Sequence, residues 1–148
     1  MSMQRIIDNL TRQHKELVRT ATEMFGWLDA AKLRARGAAD VHRALSSLSG
    51  VLKVHLAMED RSLYPNLVNH RDLQLRTLAV RFLDERAVLR QRYDEYKARW
   101  HTAAAIEAGA ERFIDETRAV LGMLWNRMKM EDDVLHPAIV RVFGADAG

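Results

Sequence analysis

Two histidines and two glutamates stand at positions from which helices could bring them to one metal ion. His55 and Glu59 are spaced i, i+4, so on a helix they lie one turn apart on the same face. His14 belongs to an earlier segment and Glu131 to a later one. Imidazole and carboxylate groups together suit iron, manganese or zinc, and the chain has no cysteine to offer a thiolate. The sequence therefore predicts a metal centre built from His14, His55, Glu59 and Glu131.

The second half of the chain repeats the first at a constant offset, but with arginine where the first half has histidine. The segment VLKVHLAMEDRSLYPNLV at 51–68 aligns with MLWNRMKMEDDVLHPAIV at 123–140. In this register His55 matches Arg127, and His14 matches Arg86. A two-fold repeat of this kind would build one metal site per half. Arginine stays protonated and offers no lone pair to a metal, so the second half is predicted to be a disabled copy.

Helices must carry these residues, and the apolar periodicity predicts four of them. The chain has seven glycines and two prolines, and breaks in the pattern fall near 35–40, 69–72 and 102–109, where Gly37 and Gly109 are expected to end helices. We expect one domain over residues 1–148, folded as an all-α, up-down antiparallel four-helix bundle. The positions predicted to face the core are Leu10, His14, Leu17, Ala21, Met24 and Leu28; Val41, Leu45, Leu48, Leu52, His55 and Glu59; Leu75, Ala79, Phe82, Arg86, Leu89, Tyr93, Tyr96 and Trp100; and Phe113, Thr117, Val120, Leu124, Arg127, Glu131, Val134 and Ala138.

Each predicted helix carries at least one ionisable residue on its apolar face. A charged group that faces a bundle core is costly unless it is paired or bound to metal. Because these residues fall at corresponding heights, they predict one shared polar centre in which Arg86 and Arg127 contact Glu59 or Glu131. The six residues are His14, His55, Glu59, Arg86, Arg127 and Glu131.

The chain resembles the hemerythrin-like family, also called the HHE cation-binding domain, over nearly its whole length. The resemblance rests on His14 in the first helix, on HLAMEDRSLYP in the second and on the register of MEDDVLHP in the fourth. It implies a four-helix bundle that holds two non-haem irons, and a role in binding oxygen or in sensing iron, oxygen or redox state.

The resemblance also assigns roles to the site residues by position. His14 and His55 match the terminal ligands of one iron, and Glu59 and Glu131 match the bridging carboxylates. Arg86 and Arg127 stand where the family has the histidines of the other iron, so a diiron centre is not expected here.

Three states of the centre are possible on the sequence, and the least expected of them holds two metals through unforeseen ligands; the other two are as follows. Without metal, two guanidinium groups and two carboxylates sum to zero charge, and the histidines serve as neutral hydrogen-bonding neighbours. With one metal ion, iron or else manganese or zinc, the histidines and glutamates are ligands and the arginines replace the second cation. Charge balance favours the empty centre, whereas the retention of both His14 and His55 favours the single metal.

The other four histidines are expected at the surface or at the ends of the bundle. The helical rise places His42, His70 and His101 roughly 16 to 22 Å from the centre. His136 follows Glu131 by five residues, which on an α-helix turns it off the core-facing side. No substrate pocket is evident in the sequence.

These features favour a hemerythrin-like metal-binding sensor with a reduced, single-metal centre. The alternative is a metal-free bundle with a buried Arg/Glu/His network that acts as a partner-binding regulatory module. A third and less favoured hypothesis is a mononuclear-iron redox enzyme, so the sequence does not decide whether the protein is an enzyme. Oxygen carriage is not expected, because one iron cannot supply two electrons. The sequence contains no recognisable output domain, so a sensor would need a protein partner in trans.

Composition and charge argue against nucleic-acid binding and against a membrane-spanning protein. The 23 basic and 20 acidic residues are interleaved, which is typical of a solvated helical surface rather than of a nucleic-acid-binding face, even at a net charge of +3. No apolar run approaches the length of a membrane span, and the first ten residues lack the apolar core of a signal peptide. A cytoplasmic location is the expectation, and the oligomeric state is not specified.

Overall fold

The computed structural model describes residues 2–147, with side chains to residue 144, and consists of four long helices with short helical connections. The long helices are α1 (Met3–Phe25), α2 (Ala38–Met58), α3 (Leu73–Arg99) and α4 (Ala110–Met130). No strand occurs within residues 2–147, and the predicted all-α four-helix bundle is confirmed. The shorter segments are Ala30–Lys32, Leu33–Gly37, Glu59–Leu63, Tyr64–Leu67, Ala103–Ala108, Glu131–Leu135 and His136–Ala147.

Side-chain caps explain where several helices begin. The Ser2 side chain accepts a hydrogen bond from the Arg5 N–H at the start of α1, and Asp72 accepts one from Leu75 at the start of α3. Both caps satisfy backbone donors that have no partner inside the helix. The expected break at 69–72 is present, whereas the expected break at 102–109 contains the short helix Ala103–Ala108, which Thr102 caps in the same way.

The predicted role of Gly109 is confirmed, whereas those of Gly37 and Leu28 need correction. Gly109 does end a helix, and a Cβ there would lie 2.9 Å from the Trp100 ring. Gly37 instead precedes α2, in a position where a Cβ would lie only 2.7 Å from the Lys32 carbonyl oxygen. Because α1 already ends at Phe25, Leu28 lies in the connection rather than on the helix face.

A π-helical turn follows α2 and another follows α4. These turns span Glu59–Leu63 and Glu131–Leu135, so they begin at the two glutamates that the sequence repeat aligns with each other. The Tyr64 N–H donates to the Glu59 carbonyl, five residues back, and the prolines that come next have no N–H with which to continue ordinary α-helical bonding. Single π turns of this kind occur often at functional sites.

The π turns shift the register of the residues that follow them. The apolar pattern predicts that Val134 and Ala138 face the core, but both are only half-buried, and Leu135 and Ile139 are fully buried instead. The reason is that a π turn contains one residue more than an α-helical turn, which rotates everything after it by one position. Leu89 on α3 is also not part of the buried core.

The polar residues of the repeat separate two apolar clusters. Along α1, His14 lies between Leu10 in one cluster and Leu17 in the other, and along α3 Arg86 lies between Phe82 and Tyr93. The bundle therefore holds its polar centre at mid-height, with an apolar core above and below it. Among residues 2–147, no helix combines the length and the apolar character that a membrane span requires.

Candidate metal centre

The structure brings the six predicted site residues together inside the bundle. Five of the six are buried, and the side chain of Arg127 is 9% exposed. They come from all four long helices and from the first residue of each π turn. The buried five are His14, His55, Glu59, Arg86 and Glu131.

Three of these residues form a cluster that could hold a metal ion. His14 Nε2 lies 2.9 Å from Glu131 Oε1, and His55 Nε2 lies 3.8 Å from the same oxygen. One ligand atom from each of the three residues falls within 4.8 Å of the other two. Two imidazole nitrogens and a carboxylate oxygen form a donor set suited to a first-row transition metal.

Glu59 stands beside this cluster with one oxygen unsatisfied. Its Oε2 atom lies 3.5 Å from His55 Nε2 and has no hydrogen-bond partner in the described part of the chain, although Glu59 is 1% exposed. A buried carboxylate oxygen that accepts no hydrogen bond is costly. The position of this oxygen beside His55 Nε2 suits Glu59 to a fourth ligand.

The far side of each imidazole is held by an acceptor. His14 Nδ1 donates to Asp132 Oδ1 over 3.0 Å, and His55 Nδ1 donates to Gln13 Oε1 over 2.8 Å. Such bonds place the proton on Nδ1 and leave Nε2 facing the centre, as in most histidine metal sites. Sequence reasoning missed both Asp132 and Gln13, although each is the immediate chain neighbour of a predicted ligand.

Both arginines point inward and contact the expected carboxylates. Arg86 Nη1 donates to Glu59 Oε1 over 3.0 Å, and its Nη2 donates to Asp60. Arg127 Nε donates to Glu131 Oε2 over 3.2 Å, and its Nη2 donates to the Tyr64 hydroxyl over 2.9 Å. Each glutamate thus presents one oxygen to an arginine and the other to the histidines.

His136 corrects the expectation that all remaining histidines lie at the surface or at the bundle ends. It is 5% exposed, its ring stacks on that of His14 with centroids 5.9 Å apart, and its Nε2 has no hydrogen-bond partner among the described residues. Burial lowers its pKa, which keeps the ring neutral. The expectation assumed an uninterrupted α-helix, but the i+5 bonding of the π turn brings His136 back above Glu131.

Burial and the two carboxylates act in opposite directions on His55. Burial alone lowers its pKa, but hydrogen bonding and charge from Glu131 and Glu59 outweigh this and raise the pKa to about 9. In the absence of metal, His55 is therefore protonated at neutral pH. A metal ion that binds His55 Nε2 must displace that proton.

The pKa values of the two buried carboxyl groups shift in opposite directions. Burial and the neighbouring Glu131 raise the pKa of Glu59. Burial also acts to raise the pKa of Glu131, but His14, His55 and Arg127 hold it well below its usual value. Glu131 is thus the firmly ionised member of the pair, which suits it to a central ligand position.

Two aspartates alter the charge balance expected from the sequence. Asp60 contacts Arg86 and Arg90, and Asp132 contacts His14, so four carboxylates face three guanidinium groups. With neutral histidines and ionised glutamates, the centre carries a net charge of −1, so one divalent cation would leave +1 instead of the +2 expected from the glutamates alone. Solvent screens part of this charge, because the two aspartate side chains are 47% and 40% exposed. The expectation that charge favours an empty centre counted only the glutamates.

Comparison with known proteins identifies a family for the chain. Residues 5–139 match the family model described as the Hemerythrin HHE cation binding domain. Comparisons with curated proteins and with solved structures gave no match.

Proposed function

Because the chain belongs to the hemerythrin HHE cation-binding domain family, we propose that it binds one divalent metal ion of the non-haem iron type. The ligands in this proposal are His14, His55, Glu59 and Glu131. The observation that carries it is the convergence of three ligand atoms, from separate helical segments, to within 4.8 Å of one another. The bound ion would supply a redox-active Lewis-acid centre.

The surrounding residues support a single ion rather than two. Glu59 Oε1 and Glu131 Oε2 are the oxygens that face away from the histidines, and Arg86 and Arg127 already bind them. A guanidinium group supplies positive charge at each of these oxygens but cannot act as a ligand. The arginines therefore hold one oxygen of each glutamate and leave the other oriented toward the one remaining ion position.

We further propose that the protein senses the metal or its redox state and signals to a protein partner. Loss of the ion leaves the unpaired oxygen of Glu59 buried and returns a proton to His55. Both events occur next to the π turn that begins at Glu59, so the occupancy of the site is coupled to the local helix geometry. Reversible oxygen carriage is not proposed, because one iron does not supply two electrons.

Metal content tests this proposal directly. Protein purified without an affinity tag under anaerobic conditions should contain, or take up, about one Fe(II) ion per chain. His55→Ala should abolish uptake, whereas His42→Ala should preserve it, since His42 lies away from the centre and bonds the His101 carbonyl.

Failure to take up Fe(II), Mn(II) or Zn(II) in well-folded protein would overturn the metal proposal. That result would favour the second candidate, a metal-free regulatory module, for which the buried pairs Arg86–Glu59 and Arg127–Glu131 are the supporting observation. If one ion does bind, turnover with peroxide would distinguish a redox enzyme from a sensor.

A further inference from the structure

A cavity of about 430 Å³ adjoins the metal centre, although the sequence showed no sign of a pocket. Residues from all four long helices line it, and most of its wall is apolar. The site residues His55 and Glu131 form part of that wall. Phe25 and Trp125 also line it, and each is 49% exposed, so the cavity reaches the protein surface there.

The size of the cavity indicates an organic ligand. Small-molecule sites in proteins are mostly apolar hollows of about 300–1,000 Å³ that carry a few polar groups, and this cavity falls within that range. A water molecule occupies about 30 Å³ in the liquid, so the space far exceeds what water or a diatomic gas requires. The apolar wall would accommodate the hydrocarbon part of such a ligand.

The charged residues that line the cavity favour an anionic head group. Four arginines and two glutamates contribute, which leaves a net charge of +2 with neutral histidine. Two of these arginines, Arg90 and Arg118, are exposed, so a ligand in the cavity could reach their guanidinium groups. Guanidinium groups bind carboxylates through strong charge-assisted hydrogen bonds. The charged lining residues are Arg86, Arg90, Arg118, Arg127, Glu59 and Glu131.

We propose that this cavity binds an amphipathic monocarboxylate, with its hydrocarbon chain along the apolar wall and its carboxylate at the accessible lining arginines, Arg90 and Arg118. The apolar wall and the excess of arginine carry this assignment together. A cationic ligand would meet four guanidinium groups, and a neutral one would leave the excess positive charge without a counterion. The site does not depend on the metal, because the cavity and its arginines are features of the protein chain alone.

The repeat supplies a matched pair of glycines with which to test the site. Gly122 lines the cavity, and a Cβ at that position would meet no described atom within 4 Å. Gly50 is the residue of α2 that the repeat aligns with Gly122; it is equally unobstructed and stands outside the cavity lining. Because leucine is a better helix former than glycine, neither Gly122→Leu nor Gly50→Leu should unfold its helix.

The experiment measures binding of decanoate, decylammonium and decanol, each below the concentration at which it aggregates. Trp125 fluorescence and titration calorimetry report binding, and the titrations are run with and without Fe(II). Decanoate should bind saturably with one site per chain and about tenfold more tightly than either other probe. Gly122→Leu should weaken decanoate binding about tenfold, and Gly50→Leu should leave the Kd within about twofold.

Three results would overturn the proposal: no saturable decanoate binding, equal binding of the three head groups, or an unchanged Kd in Gly122→Leu. Should Gly122→Leu lose helical circular dichroism, Arg118→Gln provides a second test at an exposed residue of the lining. It should weaken binding of decanoate but not of decanol, whereas Arg141→Gln, exposed and outside the lining, should weaken neither. Because the titrations without Fe(II) test decanoate binding by themselves, a failure of metal binding leaves this test unaffected.

Discussion

The first half of the chain places imidazoles at the polar centre, and the second half places guanidinium groups at the equivalent positions. Asp132 accepts a hydrogen bond from His14, and Asp60 accepts one from Arg86, the residue that the repeat aligns with His14. The backbone is equally repeated, because each half contributes a π turn whose first residue is a central glutamate. The two halves thus share their scaffold and differ in the chemistry of two side chains.

This difference shows that the acidic residues can bind either an imidazole or a guanidinium group. A carboxylate accepts from an imidazole N–H and from a guanidinium N–H alike, so Asp60 and Glu59 could remain in place when the side chain opposite them carried a fixed charge. The repeat partners Tyr64 and His136 behave similarly, since each packs against a residue of the centre. The repeated carboxylates therefore support imidazole and guanidinium groups alike.

Restoring both histidines should have the largest effect. Arg86→His combined with Arg127→His should raise the metal content from about one to about two Fe(II) ions per chain under reducing conditions. Two fixed positive charges leave the centre, and Asp60 is already placed to accept the Nδ1–H of a new imidazole at position 86, as Asp132 does for His14. Metal analysis of the purified variant measures the change.

Each single replacement should raise the metal content less than the double replacement, because the remaining guanidinium group repels the incoming ion. An unchanged stoichiometry in a well-folded double variant would mean that packing rather than charge closes the second position. The two halves would then differ in shape as well as in ligand chemistry.

Removal of one arginine should destabilise the protein by an amount that depends on which arginine is removed. Arg86→Ala should lower the free energy of unfolding by about 3–5 kcal/mol, since it leaves Glu59 buried without its hydrogen-bond donor. Arg127→Ala should cost less, because His14 and His55 still hold the pKa of Glu131 low. Urea denaturation of the metal-free proteins measures both losses.

The double variant Arg86→Met with Glu59→Leu is the control for this comparison. It removes both charges and should be milder than Arg86→Ala alone, because no unpaired charge is left in the core. A greater loss in the double variant, or equal losses for the two single arginine variants, would argue against an asymmetric network.

Replacement of either aspartate should have a smaller effect, and the two replacements should differ in how much they weaken metal binding. Asp132→Ala should weaken metal binding by about 10–100-fold, because His14 loses the acceptor that orients it. Asp60→Ala, at the repeat position, should leave metal affinity nearly unchanged, since Asp60 contacts only the arginine side of the centre in the described residues. Competition with a chelator gives both affinities, and equal weakening would show that the ion does not distinguish the halves.

The pH dependence of metal affinity tests the assignment of His55 as a ligand. The pKa of His55 near 9 means that metal must displace one proton, so apparent affinity should rise about tenfold for each pH unit from pH 7 toward 9 and then level off. In the metal-free protein the same proton stabilises the fold fully below the ordinary histidine pKa of 6.5, and this contribution is lost as the pH rises through about 9. A flat affinity profile would place the ion away from His55.

The sequence alone determined the helical bundle and the residues that meet at its centre. Apolar periodicity identifies the faces of α1, α2 and α3, and ionisable residues on those faces have to meet because a lone charge in the core is too costly. The contacts Arg86–Glu59 and Arg127–Glu131 follow from the same argument. The apolar pattern and the positions of the ionisable residues within it can both be read directly from the sequence.

The tertiary structure decided the features that depend on exceptions to helical periodicity or on several segments at once. The π turns at Glu59 and Glu131 break the α-helical pattern, so the burial of His136 and Ile139 could not be extrapolated from it. The Asp132 side chain is 40% exposed, and only the packing of α1 against the π turn makes it a partner of His14. The cavity is a gap among four helices, and its volume depends on how their side chains meet.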